Sequence, residues 1–339
     1  MADFAEIFHS LSPDKQEALL NGPAAPPPPG VVSNFDNPPN RNELAFAVTT
    51  SALALSSVVV ILWIFAKAFC QRKVYPGDAF IFAGYGIFIG SCYCLYYWMN
   101  LTGVYVHSWD VRMVYVAQNL YGSTLMTLKI GVLLEWLRIF VPKGTRDSFW
   151  WTCITNLALN VLFYVAAKLV ENFACFPHET IWDFTVEGHC LDQKSLALAS
   201  AIVNLVSDLL ILALPQIVIW KLNMSVTKKP GVSLVFAVGV FCCVVAVFRV
   251  ITSRQYYIST DPIYDLSPVA LWNIVELTLV IMIACLPSIP AVFKGPRLRS
   301  LWRPMKSWAG PSQNTSAGGS RWKRTPHRTA ESPNQEAYH

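Results

Sequence analysis

The chain has 339 residues, 54% of them hydrophobic and only 14% charged, with a formal net charge of +5 and a mean hydropathy of +0.40. A soluble domain carries roughly 25% charged residues, so this composition excludes an ordinary soluble protein and points to apolar runs of the kind that fill a bilayer. The modest net charge gives no reason to expect a nucleic-acid partner. The nine cysteines are too few for a disulfide scaffold, and most lie in apolar runs, where Cys acts as a small hydrophobe.

Residues 1–43 are polar and Pro-rich, with no basic stretch leading into an apolar core. No secretory signal peptide is read there, and the first apolar segment is expected to act as its own insertion signal. Within this tail Phe4, Ile7, Phe8 and Leu11 stand at helical spacing. Ser12 as N-cap and Pro13 at the first helical position open a second short helix that closes at Gly22, and Pro26 to Pro29 read as extended polyproline. Seven stretches then each supply about 20 mostly apolar residues, the length a spanning helix needs. They are residues 44–69, 79–99, 113–140, 149–170, 196–220, 232–253 and 268–293. The third holds Lys129 and Glu135 and is the least apolar, but the parity of the other loops requires it to cross.

Lysine and arginine distribution sets the orientation. With the N-terminus outside, the inner loops and C-tail carry 18 of these residues, among them Lys67, Arg72, Lys73, Arg138, Lys143, Arg146, Lys221, Lys228 and Lys229. The outer segments carry 5, namely Lys15, Arg41, Arg112, Lys194 and Arg254. The expected fold is all-α, an integral membrane seven-helix bundle with the N-terminus outside and the C-terminus in the cytoplasm. An extracellular Pro-rich tail (1–43) precedes a seven-transmembrane domain (44–293), and a basic, largely disordered cytoplasmic tail (294–339) completes the chain. That tail opens with Lys294, Arg297, Arg299, Arg303 and Lys306 among Leu298, Leu301, Trp302 and Trp308, a pattern suited to anionic lipid. Plasma membrane is the expected location, with the bilayer itself the first partner.

Two outer features stand out. The loop 171–194 holds Cys175 and Cys190 among Glu179, Asp183, Glu187 and Asp192, in an oxidising compartment. A bridge between them would close about 15 residues, worth on the order of 3 kcal/mol in the chain-entropy account. Two free thiols, or pairing with Cys92 or Cys94, are the alternatives. Asn100-Leu101-Thr102 is a glycosylation sequon at the very end of the second segment, so Asn100 is a candidate acceptor. His178 and His189 share the cysteine loop but have no metal-site spacing, and no metal or other cofactor is expected.

Ionisable residues inside a bilayer are costly and normally face a partner or a cavity. Lys129, Glu135, Asp208, Arg249 and Glu276 are the five here. At 1.5 Å per residue, Lys129 and Asp208 fall near or below mid-membrane depth, whereas Arg249 and Glu276 fall in the outer half. The simplest pairing is Lys129 with Asp208 and Arg249 with Glu276, leaving Glu135 for Arg138 or Arg146. The upper pair either lines a ligand cavity open to the outside or, with the lower pair, simply fixes helix rotation. Lys168 is expected to snorkel outward. Asn160, Asn204 and Asn273 are candidates to bridge helices, and Pro215, Pro287 and Pro290 to kink the fifth and seventh segments. No Walker loop, dinucleotide fingerprint, HExxH or GxSxG occurs, so no enzymatic activity is expected.

These residues together resemble the fungal rhodopsin-domain integral membrane family, which includes the satratoxin-cluster membrane protein and the Pth-type GPCR-like receptors of filamentous fungi. The resemblance lies in GVYVHSWD from Gly103 to Asp110, in KIGVLLEWLRIF from Lys129 to Phe140, and in Cys175, Pro177, Trp182 and Cys190. DLLILALPQIVIWKL from Asp208 to Leu222 and ACLP from Ala284 to Pro287 extend it, with Glu276 and the tail words ALLNGP at Ala18 and NFDNPP at Asn34. The chain also departs from the family. No cysteine-rich module precedes the first helix, Gly131 stands where the family usually has Ser, and the seventh segment lacks a lysine for a retinal Schiff base. Asp-Arg-Tyr and Asn-Pro-x-x-Tyr signatures are absent, so G-protein coupling is an analogy only.

The resemblance implies a GPCR-like sensor of an extracellular cue, with a small-molecule ligand outside and a cytoplasmic signalling partner inside. The alternative is an accessory membrane protein of a secondary-metabolite gene cluster. A transporter ranks third, because the halves show no internal repeat.

Overall fold

The computed structural model describes residues 10–20, 41–101, 111–141, 146–181, 186, 188–221, 229–259 and 262–289. The chain divides into a unit from Met1 to Gly295 and a second from Pro296 to His339. The C-terminal tail, Phe4, Ile7, Phe8, the polyproline segment and Pro290 lie outside the described residues. A short helix, Pro13–Leu20, opens where Ser12 offers its carbonyl to Lys15 N and Gln16 N, both at 2.9 Å.

Seven long helices come next among the described residues: α1 (Asn42–Phe65), α2 (Pro76–Leu101), α3 (Val111–Phe140), α4 (Ser148–Asn172), α5 (Gln193–Lys221), α6 (Lys229–Ile258) and α7 (Pro262–Cys285). They pack in chain order around a ring closed by α7 against α1, while α3 also touches α5 and α7 and so runs through the middle. Six are long and apolar enough to cross a membrane; α3 is the exception to the seven expected spans. Its length of 30 residues suffices, but it carries Lys129, Glu135 and Arg138. Its position in the bundle explains the composition: most of its length is packed against other helices, so it can carry charge provided its neighbours pair it.

The outer helices carry apolar outer faces, and their polar side chains turn inward among an apolar core. On α4 the buried face is Cys153, Asn156, Asn160 and Tyr164, while Trp151, Leu159, Leu162 and Leu169 are each more than half exposed. In water that arrangement would cost stability; against hydrocarbon it is the favourable one. Glycine brings α2 against α3, since a Cβ on Gly131 would sit 2.7 Å from Ile81 and 3.3 Å from the Gly77 carbonyl. A serine at Gly131, the residue the resemblance leads one to expect, would crowd this contact.

Helix ends differ from the expected ones for local reasons. α1 runs on through a wide turn, Ala66–Gln71, and stops at Arg72, whose left-handed backbone (φ 49) lets its N–H reach Lys67 O at 2.8 Å. α7 starts at Pro262, six residues before the expected Pro268. It ends in a tight turn, Leu286–Ser288, because Pro287 has no N–H to continue the ladder. Pro287 thus ends the helix where a kink was expected, and Pro215 lies inside the unbroken run of α5.

Candidate functional site

One end of the bundle carries a small hairpin. Strands β1 (Cys175–Phe176) and β2 (His189–Cys190) pair antiparallel with Cys175 opposite Cys190, and the two sulfurs are bonded. Leu191 N donates to Ala174 O at 2.8 Å and extends the pairing. Gly188 is required here, because a Cβ would meet Thr180 Oγ1 at 2.5 Å and Phe176 O at 2.8 Å. Asp192 then caps α5, accepting from Lys194 N at 3.1 Å and Ser195 Oγ at 2.5 Å. The Ser195 bond above all holds its carboxyl below the usual carboxylate range. Among the described residues no group of three His, Cys, Asp or Glu side chains is placed to hold a metal ion, and His178 and His189 make none.

Below the hairpin, polar side chains from five helices form one network in the bundle's interior. Lys129 Nζ lies 2.8 Å from Asp208 Oδ1 and donates to Asn204 Oδ1 at 2.7 Å and Ser207 Oγ at 3.1 Å. Tyr164 OH donates to the same Asn204 oxygen at 2.6 Å. The Asn204 amide nitrogen donates to Asp208 Oδ2 at 3.2 Å and Glu276 Oε1 at 2.6 Å. Glu276 Oε2 accepts from Tyr121 OH at 2.6 Å and lies 3.3 Å from Arg249 Nε, an ion pair not aligned as a hydrogen bond. Arg249 Nη1 donates to the Tyr121 hydroxyl. Ser207 Oγ passes the chain to Asn160 Oδ1 at 2.6 Å, and Asn160 donates to Asn156 Oδ1 at 2.6 Å.

The structure therefore brings together all four residues picked out as two pairs, but as one assembly. Glu276 lies near the middle of α7 and within reach of both pairs, and Asn204 is the joint. Tyr121, Tyr164, Ser207 and Asn156 are members that sequence reasoning missed. For Asn156 and Tyr164 the signal is a four-residue rhythm: Asn156, Asn160, Tyr164, Lys168 and Asn172 share one stripe of α4. Asn273 makes no bridge, its Oδ1 being buried without a hydrogen-bond partner among the described residues.

A cavity of about 350 Å³ reaches from beside the hairpin down to this network, between α3, α4, α5, α6 and α7. Its floor includes Tyr121, Asn204 and Arg249, its mouth Glu171, Ala174 and Gln193. Lys168 lines it instead of snorkelling away. It pairs with Glu171 at 3.0 Å and donates to Asn119 Oδ1 at 3.2 Å. Pockets of roughly 300–1,000 Å³ with apolar walls and few polar groups suit small molecules.

The opposite end holds a second cluster. Lys67 on the α1 extension lies 2.7 Å from Asp78 on α2 and 3.1 Å from Glu135 on α3. Arg138 holds Glu135 at 2.9 Å, and Ser288 beyond α7 reaches Glu135 at 3.4 Å. Arg146, the other suggested partner, stands over the Trp150 ring at 5.5 Å. Asp78 also accepts from Tyr75 N at 2.8 Å, closing the start of α2. Lys67, counted from sequence as a loop cation, is buried. Asn100 is exposed at the end of α2 and donates to Tyr96 O at 2.9 Å; Thr102 of its sequon lies outside the described residues.

The profile of the fungal rhodopsin domain matches residues 62–295. A protein of Gibberella zeae, "Fugralins biosynthesis cluster protein 2", is 36% identical over 287 residues, covering 81% of this chain and 71% of that one. A "SAT4 family membrane protein" of Emericella nidulans is 33% identical over 183 residues, 54% of this chain and 46% of that protein's length. "Receptor GIN3" of Arthrobotrys oligospora is 21% identical over 310 residues, covering 87% and 73%. No solved structure matches the chain.

Proposed function

The chain belongs to the fungal rhodopsin domain family of multi-pass membrane proteins, and on that premise we propose that it is a GPCR-like sensor of a small molecule from outside the cell. In this reading all seven long helices cross the bilayer, α3 included, with the hairpin outside and the basic inner loops facing a cytoplasmic partner. The site is a binding site and not a catalytic one, and the plasma membrane is its place.

The observation that carries the reading is the cavity's floor. Tyr121, Asn204 and Arg249 line the cavity and belong to the five-helix network. An occupant would therefore exchange hydrogen bonds with groups that set the rotation of α3, α5, α6 and α7. A ligand shifts a two-state bundle only by differential contacts of that kind. The excess of Lys and Arg on the Lys67–Glu135 side supports the orientation, and the printed name of the Arthrobotrys relative agrees with a receptor.

The printed name of the Gibberella relative favours a second reading, an accessory role in a secondary-metabolite cluster. Deleting the gene separates the two. Loss of the response to an extracellular extract with an unchanged metabolite profile supports the sensor. A changed profile with intact sensing supports the accessory role and ends the first reading. Tag accessibility must place the two termini in different compartments; finding both in one would refute the seven-span topology.

A further inference from the structure

Resting on the reading of the cavity as a ligand site, we propose that it takes an uncharged, largely apolar molecule whose carbonyl oxygen is held by Arg249. The walls set the body of the ligand: Leu125, Phe163, Val203 and Val269 leave little for a polar chain to bond. The floor sets its head. Arg249, 4% exposed, lines the cavity, and its buried Nη2 has no hydrogen-bond partner among the described residues. A guanidinium is donor-only and stays charged, so that nitrogen requires an acceptor oxygen, and the cavity is the place from which one can come.

Charge balance decides which oxygen. Around the floor Lys129 and Arg249 are matched by Asp208 and Glu276, and at the mouth Lys168 is matched by Glu171. A ligand carboxylate on Arg249 would lie beside Glu276, itself 3.3 Å from Arg249 Nε, and leave a buried site with excess negative charge. A ligand ammonium would find each nearby carboxylate already engaged. A carbonyl meets the vacant donor without disturbing the balance. Asn273 also lines the cavity, and its buried, unbonded Oδ1 offers an acceptor for a neighbouring hydroxyl.

The test uses the full chain in lipid nanodiscs and four ten-carbon probes, decan-2-one, decanoate, decylammonium and decane, each dosed to the same measured concentration in the bilayer. Thermal unfolding is measured for wild type, Arg249→Gln and Ala197→Phe, the last filling the cavity without touching the network. The expected result is stabilisation by decan-2-one and not by decane. Ala197→Phe abolishes it, and Arg249→Gln raises the half-saturating concentration about tenfold or more. If Arg249→Gln does not fold, Asn273→Leu together with Ala197→Phe carries the comparison, using 3-hydroxydecan-2-one, which should lose affinity in both. Stabilisation by decanoate or decylammonium beyond the ketone overturns the ligand class and leaves the cavity reading standing. No stabilisation by any probe, with wild type and Ala197→Phe alike, overturns both.

Discussion

Asn204 is where the two ion pairs become one network, so its replacement is the sharpest probe of the interior. Its side chain makes four hydrogen bonds, three of them with charged groups: Lys129, Asp208 and Glu276. At about 1.5–3 kcal/mol for each charged bond, the gross loss in Asn204→Leu is on the order of 5–10 kcal/mol. The net loss is smaller, because Lys129 keeps Asp208 and Ser207 and Glu276 keeps Tyr121 and Arg249. Water entering from the adjoining cavity also restores some bonds. About 2–4 kcal/mol is expected, in the range for impairing a buried charged network. Asn204→Asp is nearly isosteric but should be worse. It would place a third carboxylate against oxygens now 3.2 and 2.6 Å from the amide nitrogen. At an effective dielectric near 20, each such approach repels by about 5 kcal/mol. Thermal unfolding and folded yield in nanodiscs should rank wild type above Leu and Leu above Asp. If Asp equals wild type, or exceeds Leu, the amide does not bridge two carboxylates and the single-network account fails.

Lys129→Met and Asp208→Leu should each destabilise the bundle, and the double variant should cost less than the sum, with a coupling of about 1–3 kcal/mol in a double-mutant cycle; additivity would exclude direct pairing. At the opposite end Lys67→Met leaves Asp78 and half of Glu135's pairing unmet, at a cost of about 3–5 kcal/mol. Arg138→Met, at a side chain 26% exposed, should cost about 1 kcal/mol or less; equal unfolding midpoints would contradict this burial argument. Cys175→Ser, Cys190→Ser and the double variant should lose the same stability, about 2–4 kcal/mol. A double variant clearly weaker than either single one would speak against the bond. Asn100→Gln should abolish a mobility shift on deglycosylation if that site is used, and an unshifted wild-type protein would remove Asn100 as an acceptor.

The membrane character was legible because lipid-facing helices must be apolar for their whole length, and six of them are. The polar interior was legible in part, for the same reason: a charge in an apolar run is conspicuous, so Lys129, Asp208, Arg249 and Glu276 stood out. Tyr121, Tyr164 and Asn156 did not, because neutral polar residues are inexpensive enough to occur anywhere in a spanning segment. Only the four-residue spacing along α4 marks Asn156 and Tyr164 as one face. Lys67 and Asp78 were hidden differently. They lie at segment ends, where sequence alone cannot separate a solvated flank from a buried one, and the wide turn that carries Lys67 inward has no sequence signature we can name. α7 starts six residues before Pro268, so Glu276 stands near the middle of that helix instead of near its first third.

The helix with the weakest claim to cross a membrane is also the one on which the proposed function turns. α3 carries three polar stations along its length: Tyr121 at the cavity floor, Lys129 in the network, and Glu135 with Arg138 in the opposite cluster. Lys129 and Glu135 are six residues apart, about 9 Å of rise. They point to different neighbours, α5 for the first and α1 for the second. A rotation of α3 that improved one set of contacts would strain the other. This is the arrangement a two-state element needs if both ends are to bias the same equilibrium. It also makes a reciprocal demand: Lys67→Met, far from the cavity, should alter the affinity for decan-2-one, and bound ketone should alter the stability cost of Lys67→Met by the same factor. Identical ketone affinity in wild type and Lys67→Met, measured on folded protein, would mean that α3 holds two independent polar sites and transmits nothing between them.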